Sequence, residues 1–293
     1  MQRVHSLFLF SCVTALTVLL FLSACEKPFD WDYNEEELNS PVIEGLITNE
    51  NKLQELKLSY VRSNPNEDPL PITEAQVLVK IMNTTYVFVH DTALPGTYVS
   101  VQSFIGVVDV PISLEVRVGG ELFTASDIMI PVTPTQKGVF RQLPNQDSLY
   151  ELVSPGSTFN STEPAMWVLD IDWSSLPAYQ NVNPDSCRAL LYYYDLKTID
   201  VSEVFAPDRQ NQYFPEDAVV RQTKYALSNQ HAEFRRSLLL ETEWRGGFFD
   251  VSPGMVYTNL KGGAFGFFGA CSVVQTQYTV KQNRGVNVIC IFY

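Results

Sequence analysis

Apolar and polar positions alternate along most of this chain. The segments 42–48 (VIEGLIT) and 53–60 (LQELKLSY) place every second residue on an apolar face, as half-buried strands do. Similar runs follow at 76–81 (QVLVKI), 86–91 (YVFVHD) and 96–101 (GTYVSV), separated by Asn83-Thr84-Thr85 and Pro95-Gly96. In ISLEVRV-GG-ELFTAS, Gly119-Gly120 stands between two alternating runs, a strong hairpin signal. About seven short strands in about ninety residues, with no helical period, predict an immunoglobulin-like or prealbumin-like sandwich over residues 41–132.

Residues 133–293 read as a second β-rich domain. MWVLDIDW sets Trp167, Leu169, Ile171 and Trp173 on one face, with Asp170 and Asp172 on the other. CRALLYYYDL (187–196), VVRQTKYAL (219–227), CSVVQTQYTV (271–280) and NVICIFY (287–293) are further strands. One segment has helical spacing, with Phe234, Leu238 and Thr242 four apart. It predicts a helix over 229–246, with Asn229 as N-cap and Gly246 as the stop, packed across a sheet. The expected fold class is therefore mainly β.

The start of the chain departs from this pattern. Arg3 precedes an apolar run from Leu7 to Ala24 whose only polar side chains are Ser and Thr. This is the layout of a secretory signal, with an uncleaved membrane anchor as the alternative. The stretch Leu22-Ser23-Ala24-Cys25 resembles a bacterial lipobox. That resemblance implies removal of residues 1–24 and acylation of Cys25 with palmitate-type chains, which together anchor far more firmly than one chain. Residues 25–40 carry Glu26, Asp30, Asp32, Glu35, Glu36 and Glu37 against Lys27 alone, the composition of a solvated tether. Asp30-x-Asp32-x-Asn34 opens like a calcium loop, but Glu35 and Pro41 stand where the loop needs Gly and Glu.

Composition narrows the function. The full chain carries −13, and residues 1–24 take away one basic and no acidic residue, so the mature chain is one unit more negative. Such a field opposes binding to nucleic acid and direct adsorption to anionic lipid, which leaves the acyl group as the membrane contact. Cys187, Cys271 and Cys290 remain after Cys12 and Cys25 are accounted for. Cys271 and Cys290 are a candidate disulfide, while Cys187 reads as a buried thiol.

Catalytic signals are sparse. His90 and His231 are the histidines of the mature chain, and both read as surface or capping residues without a nucleophile motif beside them. Asp170 and Asp172 are the candidate carboxylate pair, read first as a solvated strand face. GGAFGFFGA (262–270) has glycines but no Lys or Ser/Thr of a phosphate loop, and reads as a strand or bulge beside the helix. Its phenylalanines, with neighbouring aromatics, form a candidate ligand platform: Phe248, Phe249, Tyr257, Phe265, Phe267 and Phe268. Aromatic core is the competing use. No cofactor or metal is expected.

Several segments in order resemble a known family: VIEGLITNE, PITEAQVLVK, PGTYVS, LEVRVGGELFTASDIMIP and GGFFDVSPGMVYTNLKGGAFGFFGACSV. Behind the lipobox and acidic segment, they are similar to the Bacteroidota lipoproteins of domain of unknown function 4249. The likeness runs from about 42 to 280, and the chain is short against that pattern between Cys187 and Arg221. It implies a surface-exposed outer-membrane lipoprotein beside a TonB-dependent transporter, acting in nutrient binding, and no catalytic residue. The alternatives from other classes are a structural or adhesive envelope module and an unrecognised hydrolase.

Overall fold

The computed structural model describes residues 39–281, apart from 63, 65, 145, 157–162, 199, 205, 207–210 and 247–253. Its first seven strands are β1 (Pro41–Thr48), β2 (Glu55–Tyr60), β3 (Ala75–Ile81), β4 (Thr84–His90), β5 (Thr97–Ser100), β6 (Pro111–Val118) and β7 (Glu121–Ile128). All but the short β5, where Thr97, Tyr98 and Ser100 are all buried, follow the predicted alternation. In β1, Ile43 and Ile47 are buried while Glu44 is exposed; in β2, Leu56 and Leu58 are buried between Glu55 and Lys57. Gly119 and Gly120 both have positive φ (59° and 94°), which lets the β6–β7 turn follow the twist of its strands.

These strands do not form a sheet alone. β14 (Phe265–Cys271), from far along the chain, pairs in parallel with β1, giving an eight-stranded order β14-β1-β2-β5-β4-β3-β6-β7. A parallel neighbour requires a long crossover, supplied here by the intervening chain. The sheet folds over until its edges meet. Thr124 in β7 and Lys261 exchange backbone hydrogen bonds (3.2 and 2.8 Å), and Asp127 Oδ2 accepts from Ala270 N at 2.9 Å. Side chains complete the free edge of β14: Asn259 accepts from Phe268 N at 3.1 Å and donates to Phe268 O at 2.7 Å. Ile43, Leu56, Val77, Val116, Phe123 and Phe268 fill the sandwich-like interior.

The remaining strands are β8 (Val139–Leu143), β9 (Gln146–Ser154), β10 (Ala165–Asp172), β11 (Arg188–Asp195), β12 (Tyr213–Pro215), β13 (Val219–Ala226) and β15 (Val273–Thr279). They make a four-stranded sheet, β11-β10-β13-β15, and a three-stranded sheet, β12-β9-β8. A shared core joins the two sheets, built from Phe140, Tyr150, Trp167, Leu169, Ile171 and Phe214. β10 turns its faces as predicted. Among the described residues two α-helices lie in this half, α1 (Val201–Val204) and α2 (Asn229–Glu241).

Three expectations change. The boundary at 132 does not separate closed domains, because β14 completes the first sheet and the described residues from 39 to 281 belong to one compact unit. The helix ends at Glu241 rather than 246, and its N-cap is Ser228, whose hydroxyl accepts from His231 N at 3.1 Å, not Asn229. The sequence pattern does not predict β8, β9 or β12: β8 and β12 are short, and β9 carries weak alternation. The strand expected at 287–293 lies outside the described residues.

Candidate functional site

The site grows from the placement of α2 on the outer face of β14. Phe268 and Ala270 point into the sandwich, so Phe267, Gly269 and Cys271 point outward beneath the helix. His231, in the first turn of α2, lies over Gly269. A Cβ there would stand 3.0 Å from His231 Nδ1, so glycine makes the space for the imidazole. The ring is flanked by Phe267 (centroids 4.9 Å apart) and by Cys271, whose Sγ is 3.3 Å from Nδ1. One turn on, Phe234 stacks on Phe267 at 4.7 Å and 10°. On another side of the helix, Arg236 grips Asp200 with two hydrogen bonds (2.7 and 2.8 Å), fixing the helix against the segment before α1.

His231 is therefore a buried residue, 1% exposed, and not the surface or capping side chain that the sequence suggested. Burial, followed by the Arg235 charge, lowers its pKa to about 3. Arg235 Nε donates to His231 Nε2 at 3.3 Å, which puts the imidazole proton on Nδ1, directed at Cys271 Sγ. Burial, then Asp127, pushes the Cys271 thiol far above its ordinary range. A neutral thiol beside a neutral imidazole is the reverse of an activated cysteine nucleophile, which needs its thiolate stabilised. This pair packs the helix to the sheet. Among the described residues Cys271 has no disulfide partner, and its expected partner Cys290 lies outside them.

Beside this contact an open groove of about 440 Å³ runs between α2 and the outer faces of β1 and β2. Leu46 and Leu53 give it an apolar floor, and Phe234 and Leu238 an apolar wall. Glu44 and Lys57 face each other across the β1–β2 register, with Glu55 beside them and Arg235 on the helix wall. Among the described residues none of these four enters an ion pair, whereas Lys52 at the rim is held by Glu50 at 2.7 Å. Unpaired charges of both signs around apolar side chains can orient a ligand that carries both.

The other candidates are placed as follows. Of the expected aromatic platform, Phe267 lines the groove, Phe268 is in the sandwich core, Phe265 is half-buried, and Tyr257 is tied to α2 through Ser237 Oγ (2.8 Å). Strand alternation sends the two central rings to opposite faces, so no continuous platform forms among the described residues. Phe248, Phe249 and Cys25 lie outside them. His90 ends β4 and accepts from Gly96 N at 3.2 Å, the role of a turn residue. Asp170 is clamped by Arg188 (2.6 and 2.7 Å) and approached by Arg221 (3.4 Å), while Asp172 caps the Ser174 turn. Cys187 is a buried free thiol, as expected. Among the described residues no group of three or more His, Cys, Asp or Glu could hold a metal ion, and no helix is long and apolar enough to cross a membrane.

Sequence reasoning found Phe234, Leu238 and Phe267 but missed Glu44, Lys57 and Arg235. Their signal was present only as polar positions opposite apolar ones on β1, β2 and α2.

A mainly β protein with one helix clamped over a sheet, and a groove beside the clamp, is the class that fold and site define. The model of the family described as a domain of unknown function (DUF4249) matches residues 26–277, and the chain belongs to that family. No curated protein matches it.

Proposed function

We propose that this protein is a lipid-anchored, surface-exposed lipoprotein of the outer membrane. It acts as a binding or accessory component beside a TonB-dependent nutrient transporter and holds its ligand in the groove between α2 and β1–β2. The lipobox-like stretch at Cys25 and the acidic segment behind it support the address. The observation that carries the binding role is the groove itself, apolar with charges of both signs that enter no ion pair among the described residues, set on α2, β1, β2 and the short β1–β2 connection that carries Lys52 and Leu53. The His231–Cys271 pair next to it is electrostatically set for packing, which favours holding over turnover.

The test is purification of the tagged, lipidated protein from its native membrane in detergent, with Cys25→Ala as control. Co-purification of a large barrel transporter with the wild type and not with the control is expected. A protein that stays membrane-bound and comes out alone would sink the accessory role.

A further inference from the structure

The groove also indicates the chemical class of its ligand. An aromatic site for sugars offers an open ring face, on which the flat side of the sugar stacks. Here the two rings at the groove face each other, Phe234 on Phe267 at 4.7 Å, and Phe267 is only 4% exposed. Among the described residues no other Phe, Tyr or Trp lines the groove, and the His231 imidazole is buried. What it presents instead is aliphatic, Leu46, Leu53 and Leu238, together with a guanidinium on one wall and carboxylates on the floor. Arg235 is well prepared for a carboxylate. Its Nε is engaged by His231 and its guanidinium lies 5.4 Å from the Phe234 ring centre, which orients the remaining donors.

The groove is also not closed at its far end. Glu55 pairs with Val99 on β5 and Val99 with Val89 on β4, so the floor continues onto an apolar sheet face where Val89 is 52% and Val101 65% exposed. A compact solute would leave that extension unused, whereas a chain with side chains at regular intervals would cover it.

We infer that the groove binds a short free oligopeptide: a carboxylate on Arg235, an ammonium on Glu44 or Glu55, and aliphatic side chains over Leu46, Leu53 and the valines beyond. This rests on the binding role proposed above and specifies its ligand. The full, lipidated chain in detergent micelles is dialysed to equilibrium against a tryptic digest of casein, with retained peptides read by mass spectrometry. A parallel arm uses a malto-oligosaccharide pool. Peptides rich in Leu, Ile and Val should be retained well above a protein-free micelle control, and oligosaccharides should not.

Leu53→Glu and Glu55→Lys change exposed side chains and spare the core, so the fold is kept. Leu53→Glu should lower retention about tenfold, and Glu55→Lys should shift the retained set toward acidic peptides. No peptide above control, retention indifferent to both substitutions, or retention of oligosaccharides in their place would each overturn the assignment. Those outcomes are separate from the membrane purification, where a transporter could still be recovered if the peptide assignment failed.

Discussion

The two β regions of this molecule solve burial in different ways. The folded-over sheet of β1–β7 and β14 has an interior made largely of aliphatic and aromatic side chains, and among its buried polar groups Gln54 and Asp127 serve loops and strand edges. The core between the four- and three-stranded sheets is bordered by a polar network. Lys224, fully buried on β13, meets Glu163 at 2.7 Å and Thr133 Oγ1 at 2.6 Å, and its ammonium lies 5.5 Å from the Trp167 ring centre. Two residues back, Gln222 donates to Thr135 Oγ1, Gln136 O and Pro155 O at 2.8–2.9 Å. These groups fasten the connecting segment from the first sheet onto the second. The first region is held by non-directional burial, and the second adds directional contacts that specify where the connection runs. The helix clamp lies between them and depends on both.

Acid should separate these modes, and the clamp should respond first and most. His231 has its pKa lowered from the usual histidine range to about 3, so the unfolded chain binds a proton that the folded one refuses between those values. Its contribution is intact above pH ~6.5 and is lost as pH falls toward about 3, on the order of 4–5 kcal/mol across the window. In urea unfolding followed from pH 8 to 4, stability should fall below pH 6.5, and His231→Phe should flatten that part of the profile. A profile that His231→Phe leaves unchanged would mean that the imidazole takes up its proton at the same pH folded and unfolded, so that burial does not hold it neutral.

Lys224→Ala comes next, at about 3–5 kcal/mol, because it leaves the Glu163 carboxylate buried without its ammonium. The double change Lys224→Met with Glu163→Gln should recover most of that loss. If the double variant is no better than the single one, packing rather than charge was lost.

The same pair has its own acid window. Burial alone would raise the Glu163 pKa, but the hydrogen bonds from Lys224, then Thr133, prevail and hold it at about 2. This contribution, on the order of 3 kcal/mol, is complete above pH ~4.5 and vanishes as pH falls through about 2. The double variant should lose this lower step and keep the histidine step.

The regions also differ in how far they could be read from sequence. Strands β1 to β4, β6 and β7 were legible because each buries one face, and the period of two reports that directly; β5, buried on both faces, was marked by its Pro95-Gly96 turn. β10 was legible for the same reason, with Trp167, Leu169 and Ile171 inward and Asp170 outward. The place of β14 was not, because FGFFGAC is apolar at every side chain and its partner β1 stands more than two hundred residues away, where no local pattern reaches. VVRQTKYAL predicted a strand but not that Gln222 and Lys224 share the buried face with Val220 and Ala226. Polar side chains look solvated until the carbonyls and carboxylate that receive them are in place. The groove was half legible. Its apolar wall follows from helical spacing, whereas unpaired charge on Glu44, Lys57 and Arg235 is a property of three elements meeting.

The smallest effect is the most specific to the clamp. Gly269→Ala adds one methyl where His231 Nδ1 stands 3.0 Å and Cε1 3.2 Å away. Those atoms belong to a ring held by Phe267, Cys271 and Arg235, so the helix must lift rather than the side chain swing. The expected loss is about 1–3 kcal/mol, as for overpacking elsewhere. Fluorescence can assign it: Trp244 belongs to the apolar cluster beneath α2, whereas Trp167 sits in the core between the two other sheets. With each tryptophan retained singly, Gly269→Ala should shift the Trp244 emission to the red and leave Trp167 unmoved. A red shift of both would mean that the clamp and the second core yield together, and that the two regions are less separable than their interiors imply.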